Sequence, residues 1–208
     1  MIPLFVDCSG KRIVIFGGGE VAARKAARFL PEADVTLISR SFSQKCSALP
    51  VRFVELDVST VSDDEIESMI GHAFLIIAAL SDALQNDRIG QICQKKQILF
   101  NNADGKDGDV MIPAATGGRH YTIAISTHGE SPAVSRFLRQ EIEARYPSLD
   151  TMIELQRRLR DRLKTTNLPQ AQRSEILWKV LNDQHIWNTL CNSPEDAWRA
   201  VERGYLHD

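Results

Sequence analysis

The sequence lacks the features that mark membrane, secreted and nucleic-acid-binding proteins. No apolar run approaches the roughly 20 residues that a membrane-spanning helix needs, and the start of the chain has neither the basic nor the apolar region of a signal peptide. The four cysteines are scattered, without CxxC pairs or other metal-ligand spacing, which favours reduced thiols. The net charge of −2 provides no basic excess for a nucleic acid. We therefore expect a cytoplasmic protein with no metal site, no membrane partner and no nucleic-acid partner.

The most informative stretch is KRIVIFGGGEVAARKAARFL at residues 11–30, in a chain of 208 residues that can bury one sizeable core. Its apolar run, residues 13–16, is typical of a buried parallel strand. The run stops at three glycines, residues 17–19, and a helical pattern follows. Read as G-x-G-x-x-A ending at Ala22, the stretch fits the dinucleotide-binding fingerprint, in which glycines and a helix N-terminus approach a diphosphate. The alternative is a turn that only links a strand to a helix.

Four further apolar or alternating segments predict a Rossmann-type parallel sheet of α/β class; they are residues 35–38, 51–56, 73–79 and 98–100. Three strand ends, at residues 17–19, 79–82 and 101–104, should meet at one edge, where ligands of such sheets bind. The second strand runs into Ser39 and Arg40 instead of the acidic residue that usually bonds the ribose of NAD. Arg40 could lie over the adenine, meet a 2′-phosphate or only be solvated, so the choice between NAD and NADP stays open.

From residue 103 the pattern changes to a Gly- and Pro-rich segment with two short alternating strands, residues 109–112 and 121–126, which favour an antiparallel hairpin. Ser131 and Pro132 then open a helix. Apolar stripes predict further helices over residues 149–163, 176–190 and 194–203. We expect these stripes to form a helical core, and the apolar faces left over are compatible with a dimer.

Taken together, these motifs resemble the precorrin-2 dehydrogenase family, whose module also forms the N-terminal part of siroheme synthases. The resemblance rests on GGGEVAARKA, on AALSD with Asn86 downstream, on NNAD followed by DVMIPA, and on IAISTHGESP, in that order. It spans nearly the whole chain, without the methyltransferase half of the fused enzymes. It implies a Rossmann domain at 1–113, a dimerisation region with a short strand and a linking helix at 114–146, and a helical domain at 147–208.

The resemblance also implies a reaction, the NAD-dependent oxidation of precorrin-2 to sirohydrochlorin by a homodimer. Some members insert ferrous iron as well, and the sequence leaves that step open. Asp104 matches the catalytic aspartate, which could accept a proton or orient the macrocycle. The alternatives are that Asp104 forms only an Asx-turn, or that Asp107 or Asp109 takes its role.

The same resemblance implies two sets of binding residues. The cofactor set is Gly17, Gly18, Gly19, Glu20, Val21, Ala22, Arg40, Ser41, Ala79, Asn102 and Ala103. The substrate set is Ser126, Thr127, His128, Ser131 and Arg136. A different class of function also remains open, because regulatory modules of potassium transport share the first strands and bind NAD without catalysis.

Overall fold

The computed structural model describes residues 2–30, 32–104 and 108–206, and it divides the chain into two compact units at the Ile112–Pro113 bond. The first unit is a parallel sheet covered by helices, and the second is mostly helical. The predicted α/β class with a helical C-terminal part is therefore confirmed. None of the helices in the described part of the chain combines the length and apolar character that crossing a bilayer takes.

The described residues of the first unit form a five-stranded parallel sheet in the order β3-β2-β1-β4-β5. Its strands are β1 (Arg12–Phe16), β2 (Asp34–Ser39), β3 (Arg52–Glu55), β4 (Leu75–Ala78) and β5 (Leu99–Asn102). Its helices are α1 (Glu20–Phe29), α2 (Gln44–Ser47), α3 (Asp63–Ile70) and α4 (Ala83–Lys96), with a 3-10 turn at Val58–Thr60. Because the chain builds outward from β1 to β3 and then restarts at β4 on the other side, a crevice opens beyond β1 and β4.

Strand β1 is apolar along its length because both faces of the sheet are covered. Val14 and Phe16 point into a cluster with residues of α3 and α4, whereas Ile13 and Ile15 point into a second cluster with α1. All four side chains are fully buried. Burial of such a side chain stabilises the fold by roughly 1.5–3 kcal/mol, so the two clusters fix β1 at the centre of the sheet.

Two helix starts in this unit follow from local sequence. Ser62 and Glu65 form a capping box at α3, in which the Ser62 hydroxyl accepts the Glu65 N–H at 3.3 Å and Glu65 accepts the Ser62 N–H at 2.8 Å. Asp82 caps α4 by accepting the Leu84 N–H at 2.9 Å. Both caps use the residue types that favour a helix N-terminus, so each helix start depends on a few neighbouring residues.

The second unit contains an antiparallel strand pair and five helices in its described residues. They are β6 (Ala114–Gly117), β7 (Thr122–Ile125), α5 (Pro132–Arg145), α6 (Leu149–Lys164), α7 (Gln170–Leu181), α8 (Gln184–Leu190) and α9 (Pro194–Tyr205). Helices α6 to α9 share one apolar core, with Met152, Leu159 and Leu163 of α6 at its centre. We call residues 114–145 the hairpin–helix segment; its strands bury no residue and its helix α5 buries only Ser135.

Two predicted elements are wrong. Residues 109–112 form no strand, and the hairpin begins at Ala114 instead. Apolar residues alternate over 109–112 because Val110 and Ile112 pack against the core beside α1. The helix predicted over 176–190 is two helices. Asp183 lies between them and caps α8 by accepting the His185 N–H at 2.8 Å.

Candidate functional site

A cavity of about 750 Å³ lies at the carboxyl ends of the strands in the first unit. It is lined by residues 17–21 after β1, residues 39–43 after β2, residues 56–59 after β3, residues 79–82 after β4, and by Gln85 and Asp104. This volume lies within the roughly 300–1,000 Å³ of ligand sites in proteins. The three strand ends that the sequence predicts to converge, those of β1, β4 and β5, therefore share one cavity.

The glycine turn is shaped by close backbone contacts that leave no room for side chains. Gly17 has a φ of 141°, and a Cβ there would lie 2.5 Å from the carbonyl oxygen of Ala79. A Cβ on Gly18 would lie 1.9 Å from the carbonyl oxygen of Ser41. Ala22, fully buried, lies directly under the turn, so helix α1 packs closely on the sheet.

Gly19 has the opposite environment. It is the N-cap of α1, its φ of −89° suits any residue, and a Cβ built there meets nothing within 4 Å. No side chain caps the helix at this end, so the first backbone N–H groups of α1 face the cavity with the positive end of the helix dipole. This open, uncapped helix start fits the diphosphate of a dinucleotide, with α1 supplying the N–H donors.

Arg40, which follows β2, and Asp57, which follows β3, lie together on the cavity wall. The Nη1 atom of Arg40 is 3.6 Å from Oδ2 of Asp57. Hydrogen bonds from the hydroxyl and the backbone N–H of Ser59 hold the pKa of Asp57 below its ordinary value, and the charge of Arg40 adds to that effect. Asp57 is thus an anion beside the very arginine that could have received a 2′-phosphate.

Asp104 follows β5 and presents its carboxylate to the same cavity. Its Oδ2 atom accepts a hydrogen bond from Nδ2 of Asn86 at 3.1 Å, and its backbone N–H donates to Oδ1 of Asn102 at 3.1 Å. Of the two alternatives for its role, Asp109 lines a different cavity and accepts the Phe100 N–H at 3.3 Å. Asp107 lies outside the described residues.

The structure brings most of the predicted cofactor residues to one cavity. Those that line it are Gly17, Gly18, Gly19, Glu20, Val21, Arg40, Ser41 and Ala79. Three others do not line it, because their atoms serve the fold. Ala22 packs below the glycine turn, the Asn102 side chain holds the Asp104 N–H, and the Ala103 N–H donates to the Ala78 carbonyl at 2.8 Å.

Sequence reasoning missed two residues of this site, Asp57 and Asn86. Asp57 follows β3, a strand end that the sequence argument did not connect with the cavity. In the sequence, Asn86 is only one position of a longer motif. A polar residue among the apolar positions of α4, such as Asn86 beside Ile89, is the signal that could have singled it out.

The predicted substrate residues surround one turn of the second unit. The Thr127 hydroxyl donates to the Ser131 carbonyl at 3.0 Å, and the Ser131 hydroxyl accepts the Val134 N–H at 3.3 Å to cap α5. Ser126 accepts the His128 N–H at 3.1 Å. These hydroxyls therefore build the turn itself.

Two of the predicted substrate residues carry side-chain nitrogens, His128 in the turn and Arg136 on α5. His128 and Arg136 are exposed. His128 also has a φ of 54°, a left-handed conformation that is uncommon outside glycine. Of the five predicted substrate residues, these two present charge or ring nitrogens that a ligand could reach.

Comparison with known proteins identifies relatives of the whole chain. A family model for NAD(P)-binding domains matches residues 4–114, and one for the central part of sirohaem biosynthesis proteins matches residues 122–145. A precorrin-2 dehydrogenase of Methanosarcina barkeri is 43% identical over 98% of this chain and 92% of its own length. A siroheme synthase of Photorhabdus laumondii is 29% identical, and this chain matches 43% of its length.

A solved structure has the same fold. The structure of SirC, a precorrin-2 dehydrogenase, superposes with a TM-score of 0.72 and covers 98% of this chain and 100% of its own, at 22% identity. The similarity in fold therefore includes both the parallel sheet and the helical C-terminal part. On the identity and coverage of these relatives, the chain belongs to the precorrin-2 dehydrogenase family.

Proposed function

We propose that this protein oxidises precorrin-2 to sirohydrochlorin with NAD⁺, in the biosynthesis of siroheme. The observation that carries the proposal is one cavity that holds both an uncapped helix start after a glycine turn and the carboxylate of Asp104. The first feature suits a dinucleotide and the second suits proton transfer. The 43% identity to a precorrin-2 dehydrogenase supports the choice of substrate.

The roles of the cofactor and of the protein residues follow from the chemistry of a dehydrogenation, which removes a hydride from one atom and a proton from another. NAD⁺, when bound, accepts the hydride. The backbone N–H groups of α1 hold its diphosphate, and Gly19 leaves room for the approach. The proton goes to a carboxylate of the protein or to water, and Asp104 is the carboxylate that we assign to that step.

The other carboxylates of the cavity are engaged elsewhere. Glu20 pairs with Lys45 at 2.5 Å, Asp82 caps α4, and Asp57 is held by Ser59 and Arg40. Asp104, in contrast, is exposed to the cavity and is bonded at Oδ2 by a neutral amide. It is therefore the carboxylate best able to receive a proton from the macrocycle or to orient it.

We assign NAD rather than NADP as the preferred cofactor. A 2′-phosphate that approached Arg40 would also approach Asp57, whose lowered pKa keeps it negative at neutral pH. Repulsion by Asp57 offsets the attraction of Arg40, whereas an uncharged ribose hydroxyl can accept a bond from one and donate to the other. The Arg40–Asp57 pair thus takes over the selection that an acidic residue at the end of β2 usually performs.

We also propose that the protein is a homodimer that pairs through the hairpin–helix segment, with residues 1–113, 114–146 and 147–208 as its three domains. Val134, Phe137 and Leu138 of α5 are 46%, 57% and 41% exposed in the single chain. A two-stranded ribbon and a helix without buried apolar residues are not expected to be stable alone. The same face of a second chain is the natural cover for such a surface.

The remaining assignments are narrower. The four cysteines, Cys8, Cys46, Cys93 and Cys191, are all free, which supports a cytoplasmic location. Within residues 2–30, 32–104 and 108–206, no three His, Cys, Asp or Glu side chains are grouped to hold a metal ion. The proposal concerns the dehydrogenase step, and a separate arm of the assay measures iron insertion.

The proposal is tested with purified protein, NAD⁺ and enzymatically made precorrin-2. We expect the absorbance of NADH and of sirohydrochlorin to rise together, faster with NAD⁺ than with NADP⁺. A parallel reaction with Fe²⁺ measures siroheme formation. Binding of NAD⁺ without any spectral change on adding precorrin-2 would overturn the proposal in favour of a regulatory module.

A further inference from the structure

Asn86 is a fully buried polar residue inside the first unit, and its hydrogen bonds connect two of the strand ends that line the cavity. It lies on α4, in the first turn after the Asp82 cap. Burial of an amide is costly unless each polar atom finds a partner. The hydrogen-bond partners of Asn86 therefore indicate why an amide is buried at this position.

Two of those partners are the backbone groups of one residue. The Oδ1 atom of Asn86 accepts the Leu80 N–H at 3.1 Å, and Nδ2 donates to the Leu80 carbonyl at 3.0 Å. Leu80 lies in the turn after β4, on the cavity wall. These two hydrogen bonds to the backbone of one residue fix the plane of the amide, so the direction of its remaining N–H is fixed as well.

The remaining N–H of Asn86 points at the carboxylate of Asp104. The Nδ2–Oδ2 distance is 3.1 Å, a normal hydrogen bond. Asp104 is otherwise an exposed side chain at the end of β5, and its backbone N–H is held by Asn102. An exposed aspartate samples several rotamers, and a rigid donor that binds one oxygen selects one of them.

We propose that Asn86 is a positioning residue for precorrin-2 oxidation, which holds one oxygen of Asp104 so that the other faces the substrate. The inference rests on the proposed function, because it assigns Asn86 a role through Asp104. The amide is suited to this task because it is a donor at every pH and carries no charge of its own. A lysine or arginine in its place would form an ion pair and weaken Asp104 as a base.

The test compares Asn86→Asp with Asn86→Ala in the full-length protein. The aspartate variant has the shape of the native residue but presents an acceptor to Asp104 once it is ionised. We expect its kcat to fall at least about tenfold at alkaline pH and to recover as the pH is lowered, because a protonated carboxyl at position 86 can donate again. The alanine variant should lose a similar factor in kcat at all pH values.

The readouts separate positioning from folding. The other titratable groups on the cavity wall, Glu20, Arg40, Asp57 and Asp82, are unchanged in both variants. We expect the Kd for NAD⁺ and the KM for precorrin-2 to stay within about threefold of wild type, so that the loss falls mainly on kcat. If the aspartate variant does not fold, the alanine variant decides through a lowered kcat at an unchanged Kd for NAD⁺, because a displaced Leu80 on the cavity wall would change that Kd as well.

Two negative results have different meanings. A wild-type protein that makes no NADH from precorrin-2 overturns the proposed function. An active wild type, with variants whose kcat stays within about twofold and whose pH profiles match the wild-type profile, overturns the role of Asn86 alone.

Discussion

The first unit and the hairpin–helix segment differ in how much of their apolar surface a single chain buries. In the first unit, Ile13, Val14, Ile15 and Phe16 of β1 are fully buried. In the hairpin–helix segment, α5 buries only Ser135 and exposes Phe137 by 57%. The contrast supports the proposed dimer, in which a second chain covers the apolar face of the segment that carries the predicted substrate residues.

The largest effect is expected from one methyl group in the glycine turn. Gly18→Ala places a Cβ 1.9 Å from the Ser41 carbonyl oxygen, so the backbone must move. We expect a loss of about 3 kcal/mol or more in the free energy of unfolding, measured by urea denaturation. Gly19→Ala is the matched control, since its Cβ meets nothing within 4 Å.

The control carries its own prediction. Gly19→Ala should fold with wild-type stability but bind NAD⁺ about tenfold more weakly, because its methyl group occupies the approach to the helix start. Titration calorimetry measures the affinity. Equal NAD⁺ affinity in Gly19→Ala and wild type would mean that the diphosphate does not bind at the N-terminus of α1.

The next effect tests the exposed apolar face of the hairpin–helix segment. Phe137→Glu places a charge on the exposed apolar face of α5, and we expect a monomer by light scattering, with little turnover and unchanged NAD⁺ affinity. Trp178→Glu is the matched control, because Trp178 is also exposed, at 65%, but lies on α7. It should remain a dimer. A dimeric Phe137→Glu protein would place the interface elsewhere.

A smaller effect concerns cofactor choice. Asp57→Asn removes the negative charge beside Arg40 and should raise the affinity for NADP⁺ relative to NAD⁺ by about fivefold, the size expected of an exposed ion pair. Arg40→Ala should have the opposite effect on NADP⁺. Both ratios are measured as kcat/KM. A ratio that Asp57→Asn leaves unchanged would show that the pair does not select the cofactor.

The smallest effect concerns the reactivity of the thiols, which reports how well Cys93 is buried. Burial, together with the charge of Asp109, raises the pKa of the Cys93 thiol to about 12, so Cys93 stays protonated up to pH 9 or 10 while the protein is folded. Cys191 is exposed. Thiol labelling should modify Cys191 first and Cys93 only after unfolding. Early labelling of Cys93 would mean that the first unit opens readily.

The sequence was most informative where one local rule determines the structure. The apolar run before Gly17 is the buried strand β1 that the sequence predicts, and the pattern of a few neighbouring residues is enough to identify it. The hairpin was misplaced because Val110 and Ile112 alternate for a tertiary reason, their packing beside α1. Period-2 alternation cannot distinguish a paired strand from an extended segment that packs on a core.

The site was predicted less completely than the fold because its finer parts are contacts across the sheet. Asp57 reaches Arg40 from the next strand, and Asn86 reaches Asp104 from a helix 18 residues earlier. Neither pair has a sequence spacing that a local pattern could reveal. Asn102 likewise matches a cofactor-binding pattern in the sequence, but its side chain accepts a hydrogen bond from the backbone N–H of Asp104.

The most direct test is a single-turnover reaction with excess enzyme preloaded with NAD⁺, run on the wild type and on Asp104→Asn. We predict that the wild type forms one NADH for each precorrin-2 added. The variant should bind NAD⁺ with wild-type affinity but form NADH at least about a hundredfold more slowly, as for loss of a general base. NADH formation at the same rate in both proteins would contradict the assignment of Asp104, and its absence in both would contradict the proposed reaction.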